Sequence, residues 1–562
     1  MASHAAATAG CRKCAWMPSC VLRAGQVRSS PAHGQGRAQR IIDATLPSKP
    51  VHEMTESPTD ERARDGAHRA SRWAGPGAWV TTTYFAEGYP YAIVNNLAEV
   101  LFKEMGASLQ TIGLTSLFHL PWNLKLLWAP FVDQVETKRR WIVSVEVALT
   151  LGLVALALGV SSPRMIWATA AVFVAIAVLA ATHDIAIDGF YLEALDAQGQ
   201  SRLVGMRAMA YKVASLVVRG PLVILIGWVG WRMGLAAAAV IMGLLTTVHA
   251  RLLPNLESRR QPWSVLLRAA LRPRIVTVGA IIALVIVLDR RFGTGSAWMH
   301  RIGDALRAIP WIGELSASGW IAFGLLAALV AGLALRKRIV GRFARGPGSY
   351  SAAFVDFMAR PMVGRVLAFV VAFRAGESFL QKMKWPFLRD VLGMSLDQYG
   401  FANGTLGVIA SFAGTFVGGW LISRHGLARW IWPFAALQNL LNLLYMGLAI
   451  AGAQTVLGIA PIAGVIMTEH FGEGLGTAAF MVYLMRSCDP AHKASHMAIL
   501  TALMSVSFTL AGVASGFLAR SMGFTWYFAF TFLASLPGMA LIAFLPNLRD
   551  TKASPGQPSS SA

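Results

Sequence analysis

The sequence predicts an all-α, polytopic membrane protein built from two six-helix bundles, and three observations carry that prediction. Only 14% of the 562 residues are charged and 55% are hydrophobic, with a mean hydropathy of +0.52. A soluble globular chain carries roughly 25% charged residues. From Gly75 onward, apolar runs of spanning length follow one another, and the second half of that series repeats features of the first. The formal charge of +22 raises nucleic-acid binding. The basic residues sit mostly in the leader and in short loops between apolar runs, as topogenic charge does. We therefore expect no nucleic-acid partner.

Residues 1–74 are a different material, rich in Ala, Gly, Ser, Arg and His. Before Asp43 there is no acid, against Arg12, Lys13, Arg23, Arg28, Arg37 and Arg40. That is also the composition of an organelle transit peptide. We read the segment as a disordered or wrongly included extension, with a true start at Met54 and the residues before it dispensable for transport. Cys11, Cys14 and Cys20 supply three sulfurs without a second knuckle, which argues against a zinc site. With only Cys488 beyond them, no disulfide framework is expected.

A helix needs about 20 residues to cross the hydrocarbon core. Spans fall at approximately 77–101, 109–131, 141–160, 165–191, 203–229 and 232–252, forming a first bundle over 75–253. A second set at 363–385, 399–423, 430–451, 455–485, 494–519 and 524–545 forms a bundle over 361–546. Between them, 254–360 is a basic loop carrying runs at 275–289 and 319–336, read as an inserted hydrophobic hairpin outside both bundles. The tail, 547–562, is expected to be disordered. Lys138 to Arg140, the Arg251–Arg274 cluster and Arg336–Arg345 share one side if both termini are cytoplasmic. Arg290, Arg291, Arg301 and Arg307 run against the rule locally.

GASLQTIG from Gly106 returns as GMSLDQYG from Gly393, an offset of 287. FAEG at Phe85 and FRAG at Phe373, then KRRW ending at Trp141 and LARW ending at Trp430, follow at nearly that offset. A parallel repeat of six helices about a pseudo-two-fold axis resembles the two halves of the major facilitator fold, whose substrate is held near the midplane between them. Asp133, Arg139 and Arg140 after the second helix, and Gly419, Arg424 and Gly426 in the second half, resemble that superfamily's gating loop motif. The first copy lacks the usual glycine, and Ser423 stands where an acid is common. A closer resemblance is to the muropeptide permeases (AmpG) and acetyl-coenzyme A transporters. NLKLLWAPFVD from Asn123, ATHDIAIDGF from Ala181 (His183 where Gln is usual) and GEGLGTAAF from Gly472 carry it, over residues 77–250 and 363–546. It implies import of an anhydro-muropeptide or movement of acetyl-coenzyme A across a membrane.

Intramembrane charge is costly and normally faces a pore or a partner. Asp184 and Asp188 share one face of the fourth helix, and Lys212 and Arg219 one face of the fifth, which also carries Arg207. Glu87, Arg374, Glu377, Glu469 and Glu473 complete a candidate substrate and proton pathway, in which Lys212 or Arg219 would offset Asp184. Permanent ion pairs between helices would use the same residues. Lys125, Glu99 and Glu193 lie near helix ends and read as snorkelling side chains. Tyr89, Tyr91, Trp122 and Tyr191 are candidates for stacking on a solute or for packing, and Gly414, Gly418, Gly419, Gly472, Gly474 and Gly476 for close helix approach. An enzyme would need a nucleophile–base pair or metal ligands at membrane depth, for which His183 with Asp184 and Asp188 is the sole candidate. No P-loop is present. The expectation is a multi-pass secondary transporter of the cell (inner) membrane, proton-coupled and monomeric, importing a bulky polar small molecule. No cofactor, metal or catalytic residue is expected.

Overall fold

The computed structural model describes residues 75–254 and 355–548 apart from short gaps, with isolated positions between them. The leader, the three N-terminal cysteines, the runs at 275–289 and 319–336 as spans, and the tail after 548 lie outside the described residues. Twelve spans run through the described part. In the first half, α1 covers 76–104 and α2 covers 109–134 in several pieces. They are followed by α3 (Lys138–Gly159), α4 (Ile166–Ala194), α5 (197–229) and α6 (231–252). The second half contains α7 (363–390), α8 (396–425), α9 (427–452), α10 (Ile459–Arg486), α11 (493–522) and α12 (524–542).

Local chemistry sets the boundaries. Pro76 opens α1 at a position where its missing N–H costs nothing. The repeated G-x-S motif is a turn: Gly106 and Gly393 take φ +79° and +65°, a region open to glycine without steric cost. Ser108 then caps α2 by accepting from Thr111 N, and Ser395 forms a capping box with Gln398 at the start of α8. Gly230 and Gly523, at φ +82° and +72°, turn otherwise continuous helical runs into the pairs α5/α6 and α11/α12.

Six continuous helical stretches are long and apolar enough to cross a membrane, and two of them fold back at Gly230 and Gly523 into two spans each. The outward side chains are what lipid requires: Leu151, Leu158, Trp167 and Phe416 are 64–77% exposed. α1, α2, α7 and α10 are absent from that apolar set, because they are interrupted or carry charge within the span.

In each half the helices pack among themselves: α1 on α4 and α5, α3 on α4 and α6, α8 on α10, and α7 on α11 and α12. The halves meet through α2 against α11 and α5 against α8. Both crossings use glycine to bring backbones together. A Cβ on Gly113 would stand 2.9 Å from the Gly512 carbonyl oxygen, and one on Gly404 would overlap the Arg219 carbonyl. One apolar core, including Leu97, Phe102, Trp385 and Phe528, is shared by both halves at this end. At the other end each half keeps its own core, around Phe190 and around Phe480. The two halves are thus joined at the end where α1 and α7 finish, and the fold is the major facilitator fold.

Candidate functional site

Three helices that face the seam between the halves widen into π-turns: Ile93–Leu97 in α1, Val218–Leu222 in α5 and Gly400–Gly407 in α8. Pro90 and Pro221 remove backbone donors at or near two of them. Such single-turn bulges are frequent at functional sites. Here Asn95 and Asn96, Arg219, and Asn403, one set from each turn, line a common cavity of about 120 Å³. Glu99, Glu377, Gln381, Tyr399 and Glu473 complete its polar wall, so both halves contribute.

On the first-half side, Lys125 pairs with Asp184, and Arg207 with Asp188 at 2.7 Å. Tyr84 donates to Asp188 at 2.9 Å, and the Arg207 guanidinium lies 4.4 Å from the Tyr84 ring centroid. Glu87 is buried beside Asp184 within hydrogen-bonding reach, with its Oε2 otherwise unpartnered among the described residues. Two carboxyl groups in such contact bind a proton between them more readily than they ionise together.

The second-half side is organised around Arg374, which interrupts α7 at φ −96°, ψ 8°. Its guanidinium donates to Glu377 at 2.5 Å, to Glu473 at 3.4 Å and to Thr477 at 3.1 Å. Gln438 donates to the other Glu377 oxygen at 2.9 Å. His470 presents both ring nitrogens to oxygen atoms, Glu473 Oε2 at 3.1 Å and Asn403 Oδ1 at 3.0 Å. Lys384, fully buried, pairs with Glu469 at 2.5 Å, and Gln381 and Tyr445 also donate to Glu469.

Several expectations are corrected by this arrangement. Asp184 is offset by Lys125, and Lys212 and Arg219 turn towards the other half. Lys125 reads as snorkelling because hydropathy treats α2 as one straight helix. A 3₁₀ segment, Thr115–His119, and Pro121 break it and carry Lys125 inward. Glu99 likewise points inward, to Lys382 at 3.1 Å, a pair that bridges the halves. His183 does not join Asp184 and Asp188. Adjacent helical residues diverge by about 100°, and His183 meets Glu146 of α3 instead, at 3.1 Å. His249 of α6 meets the same Glu146 oxygen, Oε1, through its Nδ1 at 2.6 Å. This buried triad stands apart from the cavity, and its signal in sequence was Glu146 itself, an acid eight residues into an apolar span. Among the described residues no group of three or more His, Cys, Asp or Glu side chains is arranged to hold a metal ion.

Of the aromatic candidates, Tyr91 and Trp122 form a cluster with His119, Tyr89 is buried, and Tyr191 donates to the Gln200 carbonyl. In the loop motif Asp133 pairs with Lys138, Arg140 with Glu136 at 2.7 Å, and Arg139 donates to the Ala250 carbonyl at 2.6 Å. Gly426 takes φ +81° in the second copy, and Glu136 takes φ +52° where the first copy lacks a glycine. Arg424 lies over the Trp420 ring at 4.5 Å. Gly414 and Gly418 make the close approaches expected of them, against Phe471 and Ala478, whereas a Cβ on Gly419 would meet nothing within 4 Å.

A profile of the Major Facilitator Superfamily matches residues 366–561. The anhydromuropeptide permease of Escherichia coli (strain K12) is 23% identical over 466 residues, covering 82% of this chain and 77% of that protein. A putative transporter of Rickettsia conorii, AmpG 4, is 20% identical over 468 residues, covering 82% and 93%. Among solved structures, a peptide transporter POT in complex with sulfate superposes with a TM-score of 0.60 at 14% identity, covering 84% of this chain and 94% of its own, a likeness of fold. These findings support a membrane transporter with the major facilitator fold: the second half of the chain matches that superfamily's profile, and over most of its length the chain is similar to permeases of the AmpG group.

Proposed function

We propose that the protein is a proton-coupled secondary transporter that imports an anhydro-muropeptide or a closely similar bulky polar solute, working as a monomer in the inner membrane with both termini cytoplasmic. The observation that carries the reading is the charged cavity between the halves, closed at one end by backbone-close glycine crossings. Opposed charges from α1, α4 and α5 on one side and α7 and α10 on the other suit a polar solute held at the seam. On the positive-inside assignment, the joined end faces outward and the cavity is read as accessible from the cytoplasm. Proton coupling is supported by two carboxyl groupings, Glu87 with Asp184 and Glu377 with Glu473 about Arg374. Each places two acids where one proton is shared more easily than two charges are borne.

The substrate assignment draws on the relatives whose names specify anhydro-muropeptide transport. Uptake of labelled anhydro-muropeptide into proteoliposomes under an imposed pH gradient, run beside labelled acetyl-coenzyme A, tests it. Gradient-dependent accumulation of the muropeptide alone is expected. Accumulation of acetyl-coenzyme A alone would replace the substrate, and uptake indifferent to the gradient would remove the coupling ion.

A further inference from the structure

Nearly every cation along the seam already has a carboxylate: Lys125, Arg207, Arg374, Lys382 and Lys384 each make an ion pair. Two cations differ. Arg219 lines the closed cavity, yet it makes no side-chain hydrogen bond or ion pair with any described residue. Lys212, seven residues earlier on the same helix, is exposed, and its Nζ lies 5.0 Å from the ring centroid of Phe412 on α8. At a rise of 1.5 Å per residue the two stand about 10 Å apart along the axis. Arg219 sits within the π-turn beside Pro221, and its backbone packs directly on Gly404 of α8.

We propose that Arg219 and Lys212 form an anion subsite for the transported solute, which receives a carboxylate or phosphate group, Arg219 as the deep anchor and Lys212 nearer the mouth. The proposal rests on the reading of the chain as an importer of a bulky polar solute and specifies the charge that solute carries. An unpaired guanidinium within a membrane span is costly unless function supplies the partner. The planar guanidinium fork matches a carboxylate or phosphate with two parallel hydrogen bonds. A cavity of about 120 Å³ admits one charged end group and leaves the bulk of a large solute in the cleft beyond.

The nearby acids do not neutralise Arg219 when one proton is held in the cluster. Glu99 is matched by Lys382 and Glu469 by Lys384, while Glu377 and Glu473 share Arg374 and the ring of His470. His470 turns its two ring nitrogens to Glu473 and Asn403, and each nitrogen donates or accepts according to the tautomer. One proton there or on the carboxyl pair balances the two acids and leaves Arg219 in excess. Binding of the anionic group and retention of a proton thus favour each other.

Equilibrium binding to the purified full-length protein tests this with three probes: anhydro-muropeptide as the free acid, the same molecule with its carboxyl groups amidated, and acetyl-coenzyme A. Wild type is expected to bind the acid roughly 10- to 100-fold more tightly than the amide, as a charge-assisted contact implies. Arg219→Gln should erase that difference by weakening the acid alone, Arg219→Lys should restore part of it, and Lys212→Gln should weaken the acid less. Equal binding of acid and amide by wild type would overturn the subsite. Equal weakening of both probes by Arg219→Gln would do the same, since that is what a structural role produces. If wild type binds acetyl-coenzyme A but not the muropeptide, and Arg219→Gln abolishes that binding, the subsite stands and the proposed solute falls. Binding of neither solute by wild type overturns both.

Discussion

Replacing Gly404 by alanine probes the closed end of the cavity directly. The added methyl would lie inside contact distance of the Arg219 carbonyl and 2.6 Å from Gly220 N, both backbone atoms of the opposite half. Backbone cannot swing aside as a long side chain does, so α5 and α8 must separate or strain. Inserting a methyl into a filled contact costs roughly 1–3 kcal/mol. That cost falls on the joined state alone, because the crossing opens when the halves rock the other way. The equilibrium between the two states should therefore shift by about 5- to 150-fold. The assay is labelling of Val223→Cys, a position 2% exposed on the cavity wall, in a background without native cysteines. An impermeant thiol reagent applied from the side of the α1–α2 turn should react several-fold faster when Gly404→Ala is present. An unchanged rate would refute the claim that the α5–α8 crossing seals this end.

Two further perturbations follow the same logic. Lys103 pairs with Asp390 at 2.6 Å and Glu104 with Arg389 at 3.3 Å, reciprocal bridges between the ends of α1 and α7. Partly exposed pairs contribute about 0.2–1 kcal/mol each, so Asp390→Asn should raise Val223→Cys labelling by no more than about five-fold. The charge swap Lys103→Asp with Asp390→Lys should return it to the wild-type rate, and no recovery would show that the pair is not the latch. Glu146→Ala should lower stability by about 1–3 kcal/mol, because it leaves buried imidazole nitrogens without their acceptor. Thermal unfolding in detergent measures it, and a melting temperature matching wild type would show that the triad does not hold α3, α4 and α6 together.

What was legible in the sequence followed from periodicity and turn chemistry. The spans emerge because lipid imposes length and apolarity, and the 287-residue repeat emerges because the same glycine turn and serine cap open α2 and α8. The repeat even carries the latch, since Lys103 and Asp390 stand at that offset. Ion-pair partners were not legible. Residue spacing tells which charges share a face, as it does for Asp184 and Asp188, but not which helix lies opposite. Lys125 and Glu99 were misplaced because depth was judged from distance to a helix end, while α2 is broken and α1 leans into the seam. The three π-turns escaped notice for a related reason: each inserts one residue into a helical register that hydropathy averages over. His183 could be grouped in sequence only with Asp184 and Asp188, whereas a helix turns consecutive side chains to different neighbours and brings His183 to Glu146.

The most direct test of the account is Asp184→Asn in proteoliposomes, with labelled anhydro-muropeptide followed both as uptake driven by a pH gradient and as exchange without one. The substitution is nearly isosteric, removes the partner of Lys125 and the acid that contacts Glu87, and leaves the helix intact. The account predicts that gradient-driven uptake is lost while correctly inserted protein still exchanges solute. Gradient-driven uptake equal to wild type, with the same dependence on pH, would contradict it and leave Asp184 as a fixed ion pair between α2 and α4.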